Sequence, residues 1–477
     1  MAFWDLESQP GDAPALLDAN RQWSYSQLAQ LADRYATRLP RHRRTLGFLG
    51  FSNGIQAVAL YLGVLRSHRH VPLLLQPDMD PDLTAALAAH YRPDWLALPA
   101  HVAPPPGYEP IGGDDDDDGD AIALYAASIP DGDSPEVHPD LALLLSTSGS
   151  TGSAKLVRLS YSNIDANAES ISRYLGLDHR DRAITTLPLA YSFGLSILNS
   201  HLQAGGSIVL TDESPVGRGF WDLARERGIT SLSGVPATYE MLRRVRIERF
   251  GLDRLRMLTQ AGGRLRDALI EEFLGVSECL GLEFFVMYGQ TEAAPRISYV
   301  PANNLRNKVG SVGVAVPGGE LSIDADTGEL VYRGPNVMLG YAESRLELAH
   351  GDIQGGILRT GDLARRDEDG YFYITGRTKR FVKISGNRVN LDEVESMLAT
   401  ALGRAVACAG TDDDLVVFVP GEPEQDQDPV RRLIQHRYRL FPGHVRVLPL
   451  DALPLMTTGK TDYAALRGYI ERNGGAA

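Results

Sequence analysis

Leu141-Ala142-Leu143-Leu144-Leu145-Ser146-Thr147-Ser148-Gly149-Ser150-Thr151-Gly152-Ser153-Ala154-Lys155 is an apolar run that breaks abruptly into hydroxyls, glycines and a lysine. Leu141 to Leu145 reads as a buried strand. The eight positions from Ser148 to Lys155 hold four hydroxyls, two glycines and one lysine. Glycines let the backbone turn tightly and bring its N–H groups close to an anion, and the hydroxyls and lysine add donors for phosphate oxygens. A strand opening into such a loop is a phosphate cradle on physical grounds. It is not the Walker pattern, which places Lys directly after the last glycine; here Ser153 and Ala154 intervene. A flexible Ser/Gly surface loop has the same composition, and this segment alone does not choose between the two.

The surroundings of this run alternate helical and strand patterns. Before it, Ser26 to Leu39 carries apolar residues at helical spacing after a candidate N-cap, Ser24. Thr45 to Phe51 reads as a strand, Gly54 to Arg66 as a helix, Val71 to Leu75 as a strand. Beyond it, Ser207 to Leu210, Ser231 to Gly234, Met257 to Gln260 and Phe284 to Met287 are strand-like, with helices between. Such alternation predicts a parallel sheet with helices on both faces, hence an α/β fold. Residues 310 to 375 are richer in glycine and short strands (Glu320 to Asp324, Glu329 to Arg333, Tyr371 to Thr375), which predicts a β-rich subdomain. After Arg377 a small α+β unit follows, with a helix over Leu391 to Leu402. Pro104 to Asp120 holds the run Pro104-Pro105-Pro106 and the aspartate run Asp114 to Asp118, and reads as an exposed loop. A metal site there is the sharper alternative, with nothing to fix its geometry. Gln425 to Asp428 also reads as a loop.

At 477 residues, two or three domains are expected. The net charge of −14 argues against nonspecific nucleic-acid or anionic-membrane binding, while leaving room for a local phosphate site. No run of some 18 apolar residues is present, so no membrane span is expected. Met1 to Glu7 has neither a basic n-region nor an apolar run, unlike a secretory signal. Two cysteines, Cys279 and Cys408, form no metal or redox pattern, which makes a reducing, cytoplasmic setting the default expectation.

Four further segments extend the reading: Tyr288-Gly289-Gln290-Thr291-Glu292, Thr360-Gly361-Asp362, Gly376-Arg377-Thr378-Lys379 and Pro454-Leu455-Met456-Thr457-Thr458-Gly459-Lys460. Together with the Ser/Gly run they resemble, in order, the phosphate loop, the Y-G-x-T-E motif, the ribose-binding T-G-D, the interdomain hinge and the C-terminal lysine loop of the adenylate-forming superfamily. That superfamily includes acyl-CoA synthetases, peptide-synthetase adenylation domains and luciferases. The resemblance spans nearly the whole chain, including a W-S-Y-x-x-L start at Trp23 to Leu28.

The resemblance implies a large N-terminal AMP-binding domain, about 1 to 378, and a mobile C-terminal domain, 379 to 477. It implies ATP and Mg²⁺ as cofactors and formation of an acyl-adenylate. Thr147, Ser148, Ser150, Thr151 and Lys155 would cradle the triphosphate, Thr291 would bond the α-phosphate, and Glu292 would hold Mg²⁺, which prefers one or two carboxylates plus phosphate oxygens. Asp362 and Arg377 would bind ribose. Gly262 and Gly263 would form the adenine edge, with Tyr288 and Gly289 facing the base from the other side. Lys460 would be the catalytic cation, Lys379 the hinge, and Gly386 would line a thiol tunnel. The acyl pocket is expected near Tyr191, Phe193, Ser196, Asn199, Val235, Pro236, Tyr239, Gln260 and Met287, a semi-polar set suited to a small or medium organic acid.

Three departures matter. Arg380 stands where the family carries an acidic residue after the hinge. Tyr191 stands where many CoA ligases have His and amino-acid-activating domains have Asp nearby, which disfavours an α-amino acid. Val406 to Val419 lacks the G-E pair common in CoA ligases, which weakens CoA as acceptor. The expected partners are therefore a small carboxylic acid and a pantetheine thiol, of CoA or of a carrier protein, with no nucleic acid and no membrane. An adenylate-using oxidase of the luciferase kind and a catalytically idle binding module stay open as alternatives.

Overall fold

The computed structural model describes residues 1–40, 43–111, 122–129, 135–146, 155–377, 380–384, 387–411, 414–421, 427–438, 444–456 and 459–473. Thr147, Ser148, Ser150, Thr151, Lys379, Gly386 and the aspartate run Asp114 to Asp118 lie outside these. The chain divides into two compact units, Met1–Glu320 with Tyr332–Leu358, and Leu321–Val331 with Arg359–Ala477.

The first unit is built on two sheets. In the nine-stranded sheet, Pro14–Leu17, Ser207–Val209, Arg182–Ile184, Ser231–Gly234, Met257–Gln260 and Glu283–Gly289 run parallel, with antiparallel strands at the edges. In the eight-stranded sheet, Leu141–Ser146, His70–Leu75, Thr45–Gly50 and Trp95–Pro99 are the parallel centre. Helices Tyr25–Arg38, Ile55–Ser67, Tyr161–Tyr174 and Ser192–Gln203 share one apolar core with strands of both sheets. Ile55 to Leu65 is buried almost all round, as an inner-layer helix must be. Ser24 caps the first of these helices, accepting from the Gln27 N–H while the Gln27 side chain accepts from the Ser24 N–H.

The expected strands and helices fall within a residue or two of those observed; Ser231–Gly234, Met257–Gln260 and Leu391–Leu402 match end to end. Two loop assignments need correction. Tyr108–Pro110 is an edge strand paired antiparallel to Ile122–Ala127, because a short edge strand tolerates proline where a central one does not. Gln427 and Asp428 open the helix Gln427–Tyr438, where an acidic first turn suits the N-terminal end of the helix dipole.

In the second unit, Glu320–Ile323, Glu329–Arg333, Ile357–Arg366 and Phe372–Arg377 form a four-stranded sheet, the β-rich subdomain expected. A hairpin of Phe381–Ile384 and Asn387–Asn390 follows, then helix Leu391–Leu402 and a three-stranded sheet of Ala407–Thr411, Asp414–Pro420 and Val445–Leu450. Val394, Leu398, Val417, Ile434 and Val447 fill its core with Cys408. Burial raises the Cys408 thiol well above its usual range, so it is an inert packing group, and Cys279 is free and exposed. Among the described residues no helix is long and apolar enough to cross a membrane.

Candidate active site

The strand Glu283–Gly289 ends in a tight reversal. A Cβ on Gly289 would lie 1.9 Å from the Pro295 carbonyl oxygen, so only glycine fits there. The Gln290 N–H donates to that carbonyl at 2.9 Å, and Asn336 Nδ2 ties down the carbonyls of Ala293 and Arg296 at 2.6 and 2.8 Å. The backbone carbonyl of Glu292 accepts from the Met338 N–H at 2.9 Å. Its side chain is thus presented from a fixed turn at the C-terminal end of a parallel strand, where ligand sites of open α/β sheets gather.

Glu292 Oε1 accepts the Tyr341 hydroxyl at 2.8 Å. Tyr341 belongs to Gly340–Ala342, paired antiparallel with Leu156–Ser160, the strand that follows the Ser/Gly run. Lys155 Nζ lies 3.7 Å from the centroid of the same ring. Lys155, Tyr341 and Glu292 therefore form one chain of contacts joining two of the motifs. Burial raises the Tyr341 hydroxyl pKa, and the Glu292 charge raises it further, so it stays a neutral donor. Among the described residues no cluster of three or more His, Cys, Asp or Glu could cage a metal. A single oriented carboxylate is instead the donor set that suits Mg²⁺ shared with phosphate oxygens.

The helix Ser192–Gln203 starts against this turn, with Ser192 Oγ 3.3 Å from Thr291 Oγ1. Its buried face continues into a small cavity of about 10 Å³, about the room of one water. Phe193, Ser196 and Met287 of the expected pocket line it, together with Tyr174, Ser233, Thr259 and Arg296. Asn199 does not: it is turned to the Tyr61 hydroxyl, 3.2–3.3 Å away. Nor does Tyr239, which packs edge-on to Phe273 at 4.8 Å in the layer beneath the sheet.

Gln260, Ala261, Gly262 and Gly263 make a turn at the end of the next strand. Gly262 has φ +81°, and a Cβ there would meet Val235 Cγ1 at 2.8 Å and the Tyr191 hydroxyl at 3.0 Å. Gly263 is backed by Pro236 at 3.2 Å on the same measure. Tyr191, Val235 and Pro236 thus converge on this glycine pair. Gln260 is fully buried and braces the turn from within, donating to the carbonyls of Ala261 and Gly263 at 3.0 and 2.9 Å. Tyr288 is half-buried and lies opposite Ser298, across from Met287 in strand sidedness.

In the second unit Asp362 and Arg377 face each other across paired strands, with Arg377 Nε 3.0 Å from Asp362 Oδ1. The Thr360 hydroxyl accepts the Asp362 N–H at 3.1 Å and donates to the Leu330 carbonyl at 2.7 Å, which holds the turn before the carboxylate. Lys460 follows Gly459, at φ +75°, in a turn closed by the Met456 N–H donating to the Lys460 carbonyl at 2.8 Å. Arg380 is bolted into this unit: its guanidinium meets Asp392, lies 2.7 Å from Glu395 Oε1, donates to the Cys408 carbonyl at 2.8 Å and covers the Tyr463 ring at 3.8 Å.

Three residues with evident roles in this architecture were not singled out for them from the sequence. Tyr341 lies 49 positions from Glu292, and no local pattern links them. Arg296 carries a signal, a cation four positions past Glu292 that opens the strand Arg296–Val300, whose neighbours on both sides are strands of the sheet. Arg380 was read as a departure, and its acidic partners Asp392 and Glu395 lie on the first turns of the following helix.

The sequence pattern of the AMP-binding enzyme family matches residues 3–342. Indoleacetate–CoA ligase of Aromatoleum aromaticum is 30% identical over 508 aligned positions, covering 97% of this chain and 96% of the relative. Non-ribosomal peptide synthetase CmlP of Streptomyces venezuelae is 27% identical, covering 99% of this chain and 49% of the relative. Among solved structures, o-succinylbenzoate CoA synthetase from Bacillus subtilis, in complex with ATP and a magnesium ion, superposes with a TM-score of 0.74 at 21% identity, covering 98% of this chain and 99% of the other. With five motifs in order, a matching fold and a near full-length relative, the chain belongs to the AMP-binding enzyme family of the adenylate-forming superfamily.

Proposed function

We propose that this chain is an ATP-dependent carboxylate ligase: it activates a small organic acid as acyl-adenylate, releases pyrophosphate, and passes the acyl group to a pantetheine thiol. The observation that carries this reading is the contact chain Lys155–Tyr341–Glu292, which gathers a cation and an oriented carboxylate beside Thr291. In the first step the acid's carboxylate oxygen attacks the α-phosphorus and the bond to pyrophosphate breaks. The Ser/Gly run and Lys155 hold the triphosphate, Thr291 bonds the α-phosphate, and Asp362 with Arg377 binds the ribose hydroxyls. Gly262 and Gly263 leave room for adenine, with Tyr288 and Gly289 on its far side. Lys460 supplies positive charge where the acyl oxygen meets the α-phosphate, the position at which a preorganised cation lowers the barrier most. Glu292 would hold Mg²⁺, whose contribution is to neutralise phosphate charge.

The second step would follow rotation of a domain beginning near Lys379, with Gly386 lining the thiol's path. Arg380 supports that placement, since its ion pairs fix the residue after the pivot to the small body. The near full-length CoA-ligase relative favours CoA as acceptor, and the peptide-synthetase relative keeps a carrier protein in view. A cytoplasmic setting accords with two unpaired cysteines. The test is pyrophosphate release against an acid panel, with CoA and carrier proteins as acceptors. Acid-dependent release followed by thioester is the expected result. Oxygen-dependent light would favour an oxidase, and ATP binding without release would favour an idle module.

A further inference from the structure

Among the described residues of the first unit three arginines are buried, Arg158, Arg296 and Arg345, each with at most 3% of its surface exposed. Two are compensated. Arg345 pairs with Asp94 at 2.7 Å, and Arg158 donates to the carbonyls of Leu339, Tyr341, His350 and Gly351. Arg296 differs in one respect: among the described residues no carboxylate pairs with it, and no run of backbone carbonyls takes the place of one. Its Nε has no hydrogen-bond partner. Its titratable neighbours are the phenols of Tyr174 and Tyr191, and its guanidinium rests on the Phe193 face, 4.6 Å from the centroid. Burial lowers its pKa, and the two phenols, one of them hydrogen-bonded to it, only partly offset the effect. A cation–π contact and a phenol repay only a small part of the desolvation of a guanidinium. Such a charge is retained where a ligand completes it.

Arg296 also lines the cavity beside the expected acyl pocket, with Phe193, Ser196, Ser233 and Met287. The phosphate-handling residues Thr291 and Glu292 lie at the turn before it, whereas the guanidinium sits among Tyr174, Phe193 and Met287. Resting on the adenylation reading above, we propose that Arg296 is a specificity-determining residue and that the acid this enzyme activates carries a second anionic group, held by Arg296 while the first carboxylate is adenylated. The same cation repels an ammonium group, in keeping with the sequence reading that disfavours α-amino acids.

The test compares short aliphatic and aromatic dicarboxylic acids, each beside its own monomethyl ester, in acid-dependent ATP–pyrophosphate exchange. Plain monocarboxylic acids are included. The wild-type enzyme should favour the best diacid over its half-ester by about 10²-fold in kcat/KM, since a site built around a buried polar group rejects the analogue that leaves it unpaired. Arg296→Met should bring that ratio near one, and Arg296→Lys should lower it less. The ratio is read within one preparation, so partial misfolding cancels. Wild-type use of half-esters or monoacids as good as any diacid would overturn the inference while leaving adenylation intact. Equal loss of diacid and half-ester in Arg296→Met would overturn it too, assigning Arg296 to the reacting carboxylate or to the fold. Exchange with no acid at all would refute the adenylation reading itself.

Discussion

The hydroxyl of Tyr341 donates to Glu292 Oε1 at 2.8 Å, so the carboxylate expected to hold Mg²⁺ is aimed by a residue from a different sheet. One oxygen is thereby oriented, and the other is left for a cation. Glu292→Gln should depress turnover and raise the Mg²⁺ concentration needed, with partial recovery at high Mg²⁺, because an amide cannot replace the anion. Tyr341→Phe keeps the ring under Lys155 and removes only the hydrogen bond. It should cost about 10-fold, as for one bond to a charged group. Mg²⁺ titrations of pyrophosphate exchange check both, and unaltered Mg²⁺ dependence in Glu292→Gln would make Glu292 a turn residue.

Asp362 is nearly buried while its partner Arg377 is more than half exposed, at 60%. The carboxylate is the fixed member of the pair and the arginine the adaptable one. Asp362→Asn should raise the KM for ATP by about 10-fold or more, the loss of a charge-assisted bond to the ribose hydroxyls. Arg377→Met should have a smaller effect, since its ion pair is solvent-screened. Initial rates across ATP concentrations separate KM from kcat. An unchanged KM for Asp362→Asn would leave this carboxylate a turn cap.

His201 gives the fold a pH dependence of definite sign. Its Nδ1 lies 2.9 Å from the Ile197 carbonyl and its Nε2 3.0 Å from Ser231 Oγ, so the neutral ring donates from Nδ1 and accepts at Nε2. Burial pushes its pKa down to about 4. The unfolded chain binds this proton near pH 6.5. Stability from His201 is therefore full above about pH 6.5 and is lost as the pH falls toward 4, by about 1.4 kcal/mol per pH unit. Between pH 7 and 5 the wild type should lose about 2 kcal/mol more than His201→Asn. Urea unfolding of both proteins at the two pH values measures it, and parallel losses would remove His201 from the account.

What could be read in advance follows from how local each signal is. Ser231–Gly234 and Met257–Gln260 were delimited by their own apolar runs and flanking turns, and Leu391–Leu402 by its period. The five motifs were legible because each is contiguous. Sidedness was less legible: Phe193 and Ser196 line the small cavity, whereas Asn199 on the same helix turns to Tyr61, a choice decided by packing. Tyr239 was expected in the pocket, yet its place in the helix Pro236–Val245 sets its ring against Phe273 and Phe284. Tyr341 and Arg296 act across distances in sequence that only strand pairing closes.

Lys379→Pro should separate the two half-reactions. Arg380 is held by Asp392, Glu395 and the Tyr463 ring, and burial opposes its charge while the Glu395 carboxylate more than restores it, leaving its pKa raised. The chain is therefore anchored to the small body from residue 380 onward, while Phe372–Arg377 is committed to the four-stranded sheet. The proposed pivot at Lys379 falls between these two anchored segments. Proline fixes φ near −65°, and hinges are the few residues that absorb such changes. Acid-dependent pyrophosphate exchange should survive in the variant if the adenylating orientation tolerates that φ, and transfer of preformed acyl-adenylate to the thiol should fail. Arg380→Ala is the contrasting variant: it loosens the anchor, so it should lower the unfolding temperature of the small body without separating the two steps. Single-turnover transfer measured beside exchange decides the matter. Retention of both steps in Lys379→Pro would place the pivot elsewhere, and equal loss of both would mark a folding defect.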